Sequence, residues 1–169
     1  SVMTNTTFGL EVQGVERKKT RSIAQKFINM VGLQGFENYY PHQISGGMRQ
    51  RANLARAFAI DPYVLLMDEP FAALDAQTRE FMQLELLRIW EKQQKTVLFV
   101  THQIDEAVYL ADRVVVMGRS PGRIRTVVNI DLPRPRDLHL KRTQKFLDLT
   151  DHIWSEIEDE VRKTGGFVL

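Results

Sequence analysis

The 169-residue sequence contains no cysteine, which excludes disulfide bonds and thiolate metal sites. It has no apolar run near the roughly 20 residues of a membrane-spanning helix, and no basic-then-apolar signal peptide opens it. We therefore expect any membrane association to be peripheral. Neither charge dominates: 23 basic and 21 acidic residues give a net charge of +2, too balanced to predict nucleic-acid binding from charge alone.

The sequence also lacks any Gly-Lys dipeptide. It therefore lacks the Gly-x-x-x-x-Gly-Lys-Ser/Thr loop, whose backbone N–H groups and lysine cradle the phosphates of a nucleotide. What is present, with 43% hydrophobic and 26% charged residues, is the composition of an ordinary globular protein. A chain of this length buries a sizeable core.

The stretch from Ile44 to Asp75 is the most informative part of the chain. Ser45-Gly46-Gly47 precedes a segment of good helix formers, Met48 to Ala59. The start of such a helix carries unpaired N–H groups and about half a positive charge, so an anion can bind there. The two glycines let the backbone approach closely.

A strand is predicted next, because Asp61-Pro62 stops the helix and Tyr63 to Met67 is a short apolar run. We expect it to be buried on both faces of a parallel sheet. Asp68 and Glu69 come at its carboxyl end, where open α/β sheets bind ligands. The two acids suit a magnesium ligand and a base for an attacking water.

A long helix, Ala76 to Gln94, follows Asp75, which we expect to cap it by accepting from the N–H of Gln77 or Thr78. Its predicted buried stripe is Phe81, Leu84, Leu87 and Trp90. A second strand, Thr96 to Val100, is followed by His102 as the first is followed by Asp68. Both strand ends then supply polar groups to one crevice.

The flanking regions carry weaker patterns. Helices are predicted within Ser1 to Val12, after the basic run Arg17 to Arg21, over Asp105 to Ala111 and over Lys141 to Lys163, which Gly165-Gly166 ends. Strands are predicted over Arg113 to Met117 and Ile124 to Ile130, around a turn of residues 118–123. The basic run fits a solvated helix start better than an anion site. His42, in a predicted loop, has no second ligand at metal spacing, so a structural role is favoured.

These motifs resemble those of ATP-binding cassette (ABC) ATPases. Ile44-Ser45-Gly46-Gly47-Met48-Arg49-Gln50-Arg51 resembles the signature motif, Val64 to Pro70 the Walker B strand, Ala73-Leu74-Asp75 the D-loop and Val100-Thr101-His102 the switch histidine. The four motifs occur in the family's order over most of the chain. Ile44 stands where the family usually has leucine, a volume-conserving change that should keep the motif's role.

The resemblance implies an α/β fold, part of a P-loop NTPase (RecA-like) core with a parallel sheet plus the ABC helical subdomain. The implied domains are a helical subdomain over 1–60, a core part over 61–131 and a C-terminal linker and helix over 132–169. ATP and Mg²⁺ are the implied cofactors.

The implied site roles follow from the matched motifs. Glu69 would be the general base, Asp68 would hold magnesium through water, and His102 would contact the γ-phosphate. Asp75 would lie near a dimer interface. The remaining residues would contact ATP held by a partner subunit: Ser45, Gly46, Gly47 and Gln50.

Residues 115–124 and 131–136 resemble the ATPase subunits of nitrate, sulfonate and taurine importers. The implied protein hydrolyses ATP at the cytoplasmic face of the membrane. Its implied partners are a second ATP-binding subunit, transmembrane permease subunits and, indirectly, a solute-binding protein. No nucleic-acid partner is expected.

The missing phosphate loop, Q-loop and adenine-stacking aromatic indicate that the first third of a nucleotide-binding domain is absent. We therefore expect this chain alone to be inactive. Two alternatives stay open: a non-hydrolysing shortened subunit that pairs with an intact ATPase, and a soluble ABC ATPase acting on DNA or the ribosome. Against the latter, no sustained heptads and no large basic patch occur.

Overall fold

The computed structural model describes residues 1–118 and 121–163. Arg119 and Ser120 of the predicted turn, and the predicted helix stop at Gly165-Gly166, lie outside the described residues. The chain forms two compact units, Ser1–Val100 and Thr101–Leu169, each described here by itself. The elements combine helices with a parallel strand pair, so the predicted α/β class is confirmed.

Three helices open the first unit: α1 (Val2–Val12), α2 (Arg17–Met30) and α3 (Gly46–Ala59). They pack on one another through buried apolar side chains, and the rings of Phe27 and Phe58 lie 6.4 Å apart between centroids. The loop predicted before α3 contains one turn of 3-10 helix, Pro41–Gln43.

The strand pair of the first unit is β1 (Val64–Asp68) and β2 (Thr96–Val100), joined by α4 (Ala76–Gln93). The strands run parallel in register from Val64 beside Thr96 to Asp68 beside Val100. The bounds predicted for β2 are confirmed residue for residue. Parallel pairing brings the carboxyl ends of both strands to the same edge of the sheet.

The expectation that β1 is buried on both faces is wrong. Leu65 and Met67 are buried, whereas Val64 is 52% and Leu66 71% exposed. Among the described residues β1 pairs only with β2, and α4 covers one face, where its Leu86 lines a small cavity with Leu65. A strand covered on one side alternates buried and exposed residues.

The predicted stripe of α4 is also partly wrong. Phe81 is 47% exposed, whereas Met82, Gln83, Leu86 and Leu87 are buried. The observed buried face therefore differs from the predicted one by about one residue. One residue corresponds to a rotation of roughly 100° around the helix axis. Packing against the strand pair, which the helix periodicity does not specify, sets this rotation.

The second unit contains α5 (Ile104–Leu110), the antiparallel strands β3 (Arg113–Gly118) and β4 (Arg123–Asn129), and α6 (Gln144–Lys163). A 3-10 segment, Leu138–Arg142, precedes α6. Each predicted strand and helix of this unit exists, with bounds that agree to within three residues. No described helix is both long and apolar enough to span a bilayer.

A buried arginine from the proline-rich connector, Arg136, hydrogen-bonds to the C-terminal end of α5. The guanidinium of Arg136 donates to the carbonyls of Tyr109 and Ala111, each at 2.9 Å. Burial, followed by the charge of Arg134, lowers the pKa of Arg136 to about 10. The proline-rich connector is therefore packed into the second unit, and its arginine satisfies carbonyls that the helix end leaves unpaired.

Candidate functional site

The start of α3 presents backbone donors to solvent. Ser45 is the N-cap, and its Oγ accepts from the N–H of Met48 at 3.2 Å. Ser45 and Gly46 are exposed. A capping serine satisfies only one of the first four N–H groups, so the others remain available to an anion.

The same helix start lies against the loop that follows β1. The Nε2 of Gln50 donates to the carbonyl of Pro70 at 2.8 Å and to that of Glu69 at 3.4 Å. A Cβ at Gly47 would lie 3.3 Å from the carbonyl oxygen of Ala73. The structure thus brings the predicted phosphate-facing segment and the predicted acidic loop into direct contact within one unit.

Both predicted acids lie exposed at the carboxyl end of β1. Glu69 has a left-handed φ of 45°, and its N–H donates to the carbonyl of Val100 at 2.9 Å. Left-handed backbone is uncommon for a residue other than glycine and is concentrated at functional sites. The left-handed residue marks the point at which the chain leaves the strand.

Asp75 caps α4 as predicted. Its Oδ1 accepts from the N–H of Thr78 at 2.9 Å, and its Oδ2 accepts from the Thr78 hydroxyl at 2.7 Å. The Thr78 backbone N–H, followed by the Thr78 hydroxyl, lowers the pKa of Asp75. The carboxylate is exposed, so capping leaves it accessible.

His102 belongs to the second unit, in the short exposed turn before α5. The neighbouring Thr101 is hydrogen-bonded to the buried Glu106 and to the backbone of Gln103. The sequence interpretation missed Thr101 and Glu106. A threonine two residues before a helix N-cap, followed by a glutamate in the first turn, is the local signal that the sequence carries for this contact.

In the first unit, the predicted site residues therefore lie on two segments that contact each other, the start of α3 and the loop of residues 69–75. Among the described residues, no cluster of three or more His, Asp or Glu side chains is placed to hold a metal ion. One exposed carboxylate, Asp68, still fits Mg²⁺, because this ion is usually held by one or two carboxylates, phosphates and waters.

His42, for which a structural role was favoured, stacks on Tyr40 with ring centroids 5.9 Å apart. The basic run at the start of α2 is exposed. Neither feature adds a group to the contacts around α3.

Comparison with known proteins gives a family match and several relatives. Residues 1–72 match the family model described as ABC transporter. An uncharacterised ABC transporter ATP-binding protein of Methanocaldococcus jannaschii is 56% identical over 164 residues, which is 97% of this chain and 60% of that protein.

Two further relatives have names that state a transported solute. An aliphatic sulfonates import ATP-binding protein of Bacillus cereus is 45% identical, over 83% of this chain and 55% of that protein. A nitrate import ATP-binding protein of Synechocystis is 42% identical, over 92% of this chain and 60% of that protein. The chain thus spans 55–60% of the length of these relatives.

Among solved structures, the chain is similar to a dimeric ATP-binding cassette in a post-hydrolysis state bound to ADP and Pi. The TM-score is 0.63 at 32% identity, over 69% of this chain and 49% of that one. The fold described above is therefore that of part of an ATP-binding cassette.

Proposed function

We propose that the whole protein is the ATP-hydrolysing, energy-coupling subunit of an importer for a small anion such as nitrate, sulfonate or taurine, because residues 1–72 match the ABC transporter family model. The similarity to the sulfonate and nitrate import proteins supports this solute class.

One observation carries the proposal. The anion-facing start of α3 is hydrogen-bonded, through Gln50, to the loop that begins with Glu69. A donor-rich helix start suits the phosphates of a nucleotide held by a partner subunit, and exposed acids at a strand end suit the metal and water of a second nucleotide, so the Gln50 contact links two such sites within one subunit.

Three side chains serve the reaction in this proposal. Glu69 is the general base that takes a proton from the attacking water. Asp68 holds Mg²⁺ through water, and the bound ion supplies charge neutralisation for the phosphates. His102 contacts the γ-phosphate and orients the water. Each lies at or just after the end of a strand, the position at which α/β sheets bind ligands.

The α3 start acts across a dimer in this proposal. Two subunits close on two ATP molecules, each α3 start contacting nucleotide held by the partner, and Asp75 lies near the interface. The residues assigned to the nucleotide are Ser45, Gly46, Gly47 and Gln50. A dimeric neighbour with bound ADP and Pi supports this arrangement.

Closure of the dimer is coupled to permease subunits, which the protein contacts at the cytoplasmic face of the membrane. A solute-binding protein acts through them. We assign residues 1–60 to the helical subdomain that docks on the permease, 61–131 to the RecA-like core and 132–169 to a C-terminal linker and helix. No nucleic acid takes part.

The direct test is Glu69→Gln in the full-length protein. We expect ATP to bind and a closed dimer to accumulate, with hydrolysis nearly abolished, because the amide does not accept the proton of the water. Glu80→Gln, an exposed position on α4, is the matched control. Unchanged turnover in Glu69→Gln would remove Glu69 from the role.

A second candidate is a non-hydrolysing subunit that pairs with an intact ATPase. ATP binding by the full-length protein distinguishes the two, since a subunit with its own phosphate loop binds nucleotide without a partner.

A further inference from the structure

A three-residue turn encloses His102. The hydroxyl of Thr101 accepts from the backbone N–H of Gln103 at 3.0 Å, so the residues on either side of His102 are joined by a hydrogen bond. The same hydroxyl donates to Oε2 of Glu106 at 2.8 Å. One side chain thus ties the backbone around the histidine to helix α5.

Glu106 is 3% exposed, although it lies one helical turn from the exposed His102. Burying a carboxylate costs free energy unless donors surround it, and an apolar residue of similar size would fill the same space without that cost. The first turn of α5 offsets part of the cost, because carboxylates are favoured there. What a carboxylate adds over an apolar side chain is an acceptor that fixes the Thr101 hydroxyl.

The direction of the two hydrogen bonds matters. A threonine hydroxyl has one hydrogen, and the carboxylate of Glu106 accepts it. The oxygen lone pairs then face the Gln103 N–H. Holding the hydroxyl in this orientation restrains the backbone of residues 101–103, from which the His102 side chain extends.

We propose that Thr101 and Glu106 are positioning residues for His102, which they hold in the orientation that contacts the terminal phosphate. This rests on the role proposed above for His102. A displacement of about 1 Å in such a group costs on the order of 100-fold in rate. Neither residue touches the nucleotide in this account; both act through the histidine.

The first experiment observes the histidine directly and needs no hydrolysis. The full-length protein is labelled at its histidine rings, and the ring resonances of Thr101→Val, Thr101→Ser and Glu106→Gln are compared with the parent. Thr101→Val keeps the side-chain shape and removes the hydroxyl, so we expect the His102 resonances to shift. Thr101→Ser restores the hydroxyl and should restore them.

His42, His139 and His152 are internal controls, and their resonances should stay unchanged. Glu106→Gln keeps the volume and an acceptor oxygen but lacks the charge, so its shift should be smaller than that of Thr101→Val. His102 resonances that are unchanged in both Thr101→Val and Glu106→Gln would overturn the proposal, whatever happens to turnover.

The second experiment measures ATP turnover in the full-length protein. Thr101→Val should lower kcat by about 10- to 100-fold while KM for ATP changes less than about twofold, since binding is supplied elsewhere. Thr101→Ser should recover most of the loss. A rise in KM with unchanged kcat would overturn the positioning role.

A double variant separates this proposal from the proposed function. If Thr101 acts through His102, Thr101→Val combined with His102→Ala should be no slower than His102→Ala alone. A further loss in the double variant overturns the positioning role. Full turnover in His102→Ala instead overturns the function assigned to His102, and the ring resonances still decide whether Thr101 and Glu106 orient it.

Discussion

The loops that follow β1 and β2 present the candidate reactive groups and differ in what holds them. The loop after β1 begins with a strained Glu69 and is fixed by Gln50, 19 residues earlier in the chain. The loop after β2 is fixed by Thr101 and Glu106, which lie within five residues of each other. The first is held by tertiary contacts and the second by local ones.

This difference has a functional consequence in the first unit. Because Gln50 is on the helix proposed to contact a partner's nucleotide, any displacement of α3 pulls on the carbonyls of Glu69 and Pro70. The acidic loop is thereby coupled to α3, whereas the Thr101 hydrogen bonds join residues of one short segment. Variants that loosen α3 should therefore disturb the Glu69 loop and leave the His102 turn unchanged.

The largest effect is expected from Gly47→Val, which breaks the tertiary contact by crowding. A Cβ at this position lies 3.3 Å from the Ala73 carbonyl oxygen and 3.7 Å from Cδ2 of Leu74. Overpacking of this kind costs about 1–3 kcal/mol. Thermal or denaturant unfolding of the full-length protein should show the loss.

Gly46→Ala is the matched control for that variant. The nearest atom to its Cβ is the flexible Nη2 of Arg49, at 3.7 Å. Replacing a helical glycine where space allows stabilises by about 0.4–1 kcal/mol. If both variants destabilised the protein equally, crowding against the 69–75 loop would not be the cause of the loss in Gly47→Val.

A smaller effect is expected from Gln50→Leu, which removes the donors to Glu69 and Pro70 while keeping similar volume. The loss should be about 1 kcal/mol, the usual net contribution of a hydrogen bond. Hydrogen exchange should rise at the amides of Glu69 and of residues 71–74, and stay unchanged at Gln103. Asn53→Leu, at an exposed position of the same helix, is the control.

The same contrast between local and tertiary contacts separates the features that the sequence predicts correctly from those that it does not. The strand bounds of β2 and the capping of α4 by Asp75 are local features, and both are confirmed. The predicted face of α4 and the two-sided burial of β1 depend on packing partners, and both are wrong in part. Sequence periodicity predicts that a helix or strand forms, whereas tertiary contacts decide which face of the helix is buried and how many faces of the strand are covered.

The site follows the same division. Its acids and histidine were predicted because polar residues at strand ends form a recognisable local pattern. The role of Gln50 as a donor to the loop after β1 was not predicted, because no local rule joins residues 19 and 20 positions apart. The Thr101 to Glu106 contact is local, but a threonine and a glutamate have many ordinary uses near a helix start.

The smallest expected effect concerns acid and the cap of α4. Hydrogen bonds from Thr78 lower the pKa of Asp75 below its unfolded value of 3.8. The unfolded chain therefore binds the proton more readily, so the stabilisation from this carboxylate is present above the unfolded pKa and is lost as pH falls through the folded pKa.

Asp75→Asn keeps an acceptor for the Thr78 N–H and removes the titrating group, so its stability should depend less on pH in this range. Unfolding midpoints of the parent and variant, measured from neutral pH to below 4, should converge as the solution becomes acidic. Since the cap is held by contacts within three residues, and the His102 turn by contacts within five, Gly47→Val should leave this pH difference intact. A pH difference abolished by Gly47→Val would instead place Asp75 under the control of α3, together with Glu69.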